Sequence, residues 1–192
     1  MIYIALLRGI NVGGKSPVSM AKLKETFEQL GFAGVRTYIN SGNVVFTAGA
    51  GSHAQLAGRV EAAIADDFGL QIPVLVRTAD ELSTFADSIP TTWVNDATMK
   101  CDVFFLWPDV DRPDILDEVP QNAAIEDLRY VPGALVRRID RKHATRSPIH
   151  RIVGSALYGQ MTVRNINTVR KLRDLAGPTG DVVRRGRSDR GS

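Results

Sequence analysis

The chain has 192 residues, 44% of them apolar and 23% charged, with a formal net charge of +3. That is enough for one large domain or two small ones packed together, and it is not the composition of a disordered or fibrous protein. No apolar run approaches the roughly 20 residues that cross a bilayer, and the N-terminus has no signal-peptide pattern, so a cytoplasmic protein without a membrane partner is expected. Cys101 is the only cysteine, which rules out an intrachain disulfide and makes a structural thiol the expectation.

Ile2 to Leu7 is a continuous apolar run, as in a central strand covered on both faces. A glycine loop follows, and then Pro17 and Ser19 open a helix carrying Met20, Leu23, Phe27 and Leu30 until Gly31 closes it. Val35, Thr37 and Ile39 alternate with Arg36, Tyr38 and Asn40, which is strand period. Ser41-Gly42 turns the chain into a third strand, Asn43 to Phe46. Ser52 with Gln55 is a capping box for a helix through Leu56, Val60, Ile64 and Phe68, and Gly69 ends it. Ile72 to Arg77 reads as a fourth strand, with Pro73 near its start suiting a sheet edge.

This order, β-α-β-β-α-β, is the split ferredoxin-like unit. It inserts the third strand between the first and second and makes all neighbours antiparallel. The loop after strand one and the turn after strand two then lie at one edge of the sheet.

Thr78 with Glu81 caps a short helix through Leu82, Phe85 and Ile89, and 90–96 reads as a linker. Asp102 to Trp107 is a strand and Pro113 to Val119 a short helix. Asp127 to Val131 and Ala134 to Asp140 form a hairpin across Pro132-Gly133, and Ser147-Pro148 caps a helix reaching Val153. Met161 to Asn165 leads into a last helix whose stripe is Ile166, Val169, Leu172 and Ala176, with Asn165 as N-cap. The expected fold class is α+β, a ferredoxin-like unit followed by a second, similar subdomain. The divisions are 1–78, a connecting helix and linker 79–98, the second subdomain 99–178, and a disordered basic tail 179–192.

Three motifs stand out: Leu7-Arg8-Gly9-Ile10-Asn11-Val12-Gly13-Gly14, Thr37-Tyr38-Ile39-Asn40-Ser41-Gly42-Asn43-Val44-Val45-Phe46, and Thr162-Val163-Arg164-Asn165-Ile166-Asn167-Thr168-Val169. Together with Met20 they resemble the signatures of domain-of-unknown-function family 1697. The likeness runs over nearly the whole chain outside the basic tail. It implies a bacterial, soluble protein of ferredoxin-like α+β subdomains and supplies no reaction. Ile166 departs from the pattern, which has an aromatic residue there, usually tryptophan.

The residues themselves point to a polar, anion-friendly site. Gly9, Gly13 and Gly14 allow positive φ, and successive N–H groups before a helix N-terminus form an anion nest, with Arg8 and Lys15 adding full charge. The spacing is that of neither a phosphate-binding P-loop nor a dinucleotide fingerprint. Read plainly, the loop is a tight strand-to-helix connection that needs glycine for steric reasons. Asn40, Ser41 and Asn43 join the candidate site, although a hairpin turn needs such residues anyway. Arg164, Asn165 and Thr168 crowd one helix start, where Arg164 is an anion clamp or a buried partner for an acidic group of the first half. The candidate ligand is a small phosphate- or carboxylate-bearing compound held in a pocket between the subdomains.

No Asp, Glu or His lies within the motifs, so no general base is evident, and His53, His143 and His150 show no metal spacing. No cofactor or metal is expected. One alternative is nucleic-acid binding through a basic groove of Arg137, Arg138, Arg141, Lys142, Arg146 and Arg151, although the first sheet lacks the stacking aromatics of RNA-recognition folds. Another is a homodimer paired through edge strands.

Overall fold

The structure is a computed structural model and describes residues 1–13 and 16–177. Gly14, Lys15 and the expected basic tail lie outside the described residues.

Strands β1 (Ile2–Leu7), β2 (Ala33–Tyr38), β3 (Asn43–Thr47) and β4 (Val74–Thr78) form an antiparallel sheet in the order β2-β3-β1-β4. The third strand sits between the first and second, and β4 is an edge, with Pro73 just before it. Helices α1 (Met20–Gln29) and α2 (His53–Phe68) cover one face. Both are capped as their sequences dictate: Ser19 Oγ accepts from Lys22 N–H, and Ser52 and Gln55 bond reciprocally.

A second sheet contains β5 (Met99–Leu106), β6 (Glu126–Val131), β7 (Ala134–Asp140) and β8 (Met161–Asn165), in the order β6-β7-β5-β8. Taken strand for strand, this is the order of the first sheet. Helices α3 (Ala79–Ser88) and α5 (Ile166–Ala176) each follow directly from the last strand of their sheet.

The alternation of side chains along the central strands explains how the halves join. Ile4 and Leu6 on β1, and Cys101, Val103 and Phe105 on β5, point into one core together with Leu82 and Phe85 of α3 and Ile166, Val169 and Leu172 of α5. Tyr3, Ala5 and Leu7 face the opposite way, under α1 and α2. Phe104 and Leu106 face a third core, over the outer side of the second sheet. The expected connector 79–98 belongs to the shared core as well: Ile89 and Trp93 are buried there with α3. Burying a side chain of this size is worth about 1.5–3 kcal/mol each, so the shared core is a major source of stability for both halves.

The second half departs from expectation where its segments are short. Pro113–Asp117 and Pro148–Ile152 are 3-10 turns and not α-helices. Each starts on proline and spans five residues, too few for an α-helical ladder. Two more 3-10 turns, Pro108–Val110 and Arg141–Arg146, and the one-turn helix α4 (Ala156–Gly159) connect the strands of this half, and Val110, Leu157 and Tyr158 pack against the third core. Met161–Asn165 is itself a strand, β8, which the sequence did not announce. Cys101 is fully buried, and desolvation, followed by the nearby Asp102 carboxylate, pushes its thiol up from 9.0 to about 12. Such a thiol is inert at neutral pH.

A motif-built edge between the two halves

The loop after β1 is organised by Asn11. Its Oδ1 accepts from Val18 N–H at 2.8 Å, while Nδ2 donates to Val18 O at 3.0 Å and to Asn40 O at 2.9 Å. The backbone N–H of Asn11 donates to Ser16 O at 3.1 Å. One side chain thus closes the loop and ties it to the turn between β2 and β3. Ile10 plugs the outer core from this loop and is fully buried, while Val12 is exposed. Among the described residues, Gly9 (φ 74) and Gly13 (φ 58) have no neighbour within 4 Å of a would-be Cβ, so there they serve backbone conformation and not close packing.

Gly42 is different. Its φ is +76, and a Cβ there would lie 2.7 Å from Leu7 Cβ and 2.8 Å from Ile10 Cδ1. The turn therefore packs directly on the strand-to-loop junction. Asn43 Nδ2 donates to Tyr38 O and to Ser41 Oγ, both at 3.0 Å.

Arg164 of β8 enters this junction from the other half. Its Nε donates to Asn43 Oδ1 at 2.6 Å, and one terminal nitrogen donates to Leu7 O at 2.7 Å, Ser41 O at 3.0 Å and Gly42 O at 3.2 Å. The other donates to Thr162 Oγ1 and Val163 O. Among the described residues no carboxylate takes part, so the acidic partner contemplated for this arginine is replaced by main-chain carbonyls, the Asn43 amide oxygen and the Thr162 hydroxyl. Burial pulls its guanidinium down from 12.5 to about 10, through desolvation, and it remains charged at neutral pH. Arg8 makes the reverse crossing: Nε donates to Met161 O at 2.9 Å and a terminal nitrogen to Tyr158 O at 3.2 Å, with the guanidinium 5.6 Å from the Tyr158 ring centre.

The structure thus brings Arg8, Gly9, Asn11, Gly13, Asn40, Ser41, Asn43 and Arg164 to one edge. Asn165 and Thr168 serve α5: Asn165 Oδ1 accepts from Thr168 N–H at 2.9 Å, and among the described residues neither side chain bonds to the loop or the turn. Gly14 and Lys15 lie outside the described residues. Ile166, at the position of the expected aromatic, is fully buried in the shared core.

One residue escaped the sequence reading. Arg77 stands next to last in β4 as Arg164 does in β8, and it donates to Leu106 O at 2.8 Å as Arg164 donates to Leu7 O. Each accepting carbonyl belongs to the last residue of the other half's first strand. Leu7 N–H donates to Gly42 O and Leu106 N–H to Gly133 O, so the turns correspond as well. The signal was in the sequence: Val76-Arg77-Thr78 and Val163-Arg164-Asn165 both place Val-Arg before a helix N-cap.

The basic groove is diminished by the fold. Arg137 is 1% exposed and bonds Asp102 at 2.6 Å and Ser147 Oγ at 3.1 Å, with Glu126 at 3.8 Å. Arg141 bonds Asp96 O and Asn95, and Arg138 and Lys142 flank Asp140. Among the described residues no cluster of metal-ligating side chains occurs, and no helix is long and apolar enough to cross a membrane.

Comparison with known proteins agrees with the fold and the motifs. No functionally curated protein matches the chain. A conserved bacterial protein from Streptococcus pneumoniae, SP0830, has a similar solved structure, with a TM-score of 0.75 and 27% identity over 91% of this chain and 98% of that one. The family model described as "Protein of unknown function (DUF1697)" matches residues 1–136, which includes the first two motifs and stops short of the third. With a match over that much of its length, the chain belongs to the DUF1697 family.

Proposed function

We propose that this protein binds a small anionic ligand, a phosphate or carboxylate compound, at the edge built by loop 8–16 and turn 39–42, where the two halves meet. One observation carries this reading. Among the described residues, every non-glycine residue with positive φ lies at this edge: Asn11 (53), Ser16 (47) and Ile39 (48). A β-branched residue in that region costs about 1–2 kcal/mol. Ile39 is 48% exposed, so burial does not offset the cost. Strain that the core does not need is the kind that accumulates at binding sites.

Successive left-handed and right-handed residues turn backbone N–H groups to one side, as a nest for an anion. Among the described residues, Arg8 spends two of about five N–H donors on carbonyls, and the others are proposed to meet the ligand. Exposed Val12 and Ile39 offer apolar contact beside it. The motifs hold no acid–base group, so the reading is binding and not catalysis.

The test is a thermal-shift screen of the full chain with orthophosphate, pyrophosphate, sugar phosphates, nucleotides and dicarboxylates. An anion at 100 times its dissociation constant is expected to raise the melting temperature by about 5–10 °C. Lys15→Glu is expected to abolish that shift while moving the unliganded melting temperature by less than about 2 °C. An equal shift in the variant, or no stabilising anion in the panel, refutes the reading.

A further inference from the structure

The duplicated arginine grip leaves the two sides of the molecule unequal. On the Arg164 side, Asn43, the 39–42 turn and Leu7 converge on the guanidinium. On the Arg77 side, among the described residues the terminal nitrogens reach only Leu106 O and Val76 O, and a cleft of ≈ 700 Å³ lies between α3 and the second sheet. That volume is within the range of small-molecule sites, about 300–1,000 Å³.

Its floor is apolar. Leu82 and Phe85 of α3 and Phe105 of β5 line it, and the two phenyl rings lie 5.4 Å apart. The 131–133 turn closes one side with Val131 and Pro132. Its charged lining is mostly acidic: Asp80, Glu81 and Asp111 against the single guanidinium of Arg77, which is already committed to carbonyls. Asp111 is held in place, Oδ1 accepting from Tyr130 OH at 3.0 Å and from Gly133 N–H at 2.8 Å. His53 Nε2 stands 3.3 Å from Glu81. A flat apolar body would fit between α3 and the second sheet against Leu82, Phe85 and Phe105, and a positive group at its end would meet Asp80 and the carboxylate oxygens that Glu81 and Asp111 do not spend on Thr78, Tyr130 and Gly133.

We propose that this cleft binds a small organic cation, an amine carried on a flat apolar body, at a site separate from the glycine-loop edge. The probes are tryptamine and indole-3-propionate, which share the ring and differ in the sign of the end group, titrated into the full chain by calorimetry and amide NMR. Tryptamine is expected to bind saturably and at least about tenfold more tightly than the carboxylate. Asp80 and Thr84 are exposed cleft residues, so neither substitution disturbs the core. Thr84→Trp, which fills the cleft, and Asp80→Lys, which reverses one charge, are each expected to weaken tryptamine at least about tenfold. Lys15→Glu is expected to leave tryptamine binding unchanged, which separates this site from the proposed anion site. Equal or tighter binding of indole-3-propionate, tryptamine binding indifferent to Thr84→Trp, or no saturable tryptamine binding at millimolar concentration would overturn the proposal.

Discussion

Arg164→Ala is expected to lower the unfolding free energy of the full chain by roughly 3–5 kcal/mol, measured by urea denaturation. The guanidinium is buried and donates to six oxygens, four of them in the other half. Alanine takes the buried donor from Asn43 Oδ1 and Leu7 O, while Gly42 O keeps Leu7 N–H, and an orphaned buried polar group costs about 1–3 kcal/mol. Arg164→Lys is expected to recover only part of the loss, because an ammonium is a point donor and cannot fork between Asn43 and Leu7. Arg77→Ala, with two carbonyl acceptors beside an open cleft, is expected to cost about 1–2 kcal/mol. A loss at Arg164 no larger than at Arg77 would mean that the carbonyl cage is not what holds this edge together.

Gly42→Ala is the second large effect, expected at about 2–4 kcal/mol by the same denaturation measurement. Two penalties combine. The left-handed backbone disfavours any Cβ, at about 1–2 kcal/mol. The added atom also falls inside contact distance of Leu7 and Ile10, both buried and unable to retreat. Gly13→Ala is expected to carry the first penalty alone, since among the described residues nothing lies within 4 Å of its Cβ position. The difference between the two variants measures how tightly the turn packs on the strand, and equal effects would contradict the close approach.

The first half was legible because its residues obey their periods. The apolar run of β1, the capping boxes at Ser52 and Thr78, and Pro73 before an edge strand each point to one local structure. The β-α-β-β-α-β order then fixed the strand order and with it the convergence of loop and turn. The strand β8 was not legible because two of its buried positions are Thr162 and Arg164, which breaks the apolar alternation that marks a strand. The role of Arg164 was hidden for a related reason. An arginine clamping an anion and one caged by carbonyls look alike in sequence, since the acceptors in the second case are main-chain atoms that no residue type announces. Asn11 is a parallel case: its amide satisfies Val18 and Asn40 and is spent on holding the loop. The side chains of Asn11, Asn43 and Arg164 thus secure the edge, and the proposed anion site falls to the exposed residues 11–13 of the glycine loop.

That division is tested most directly by amide NMR of the full chain during titration with pyrophosphate. The backbone N–H resonances of Gly9, Asn11, Val12 and Gly13 are expected to shift saturably and together, with the 39–42 turn responding and the Arg137–Arg151 region silent. Shifts confined to that basic region, with the glycine loop unmoved, would contradict the assignment of the anion site to this edge.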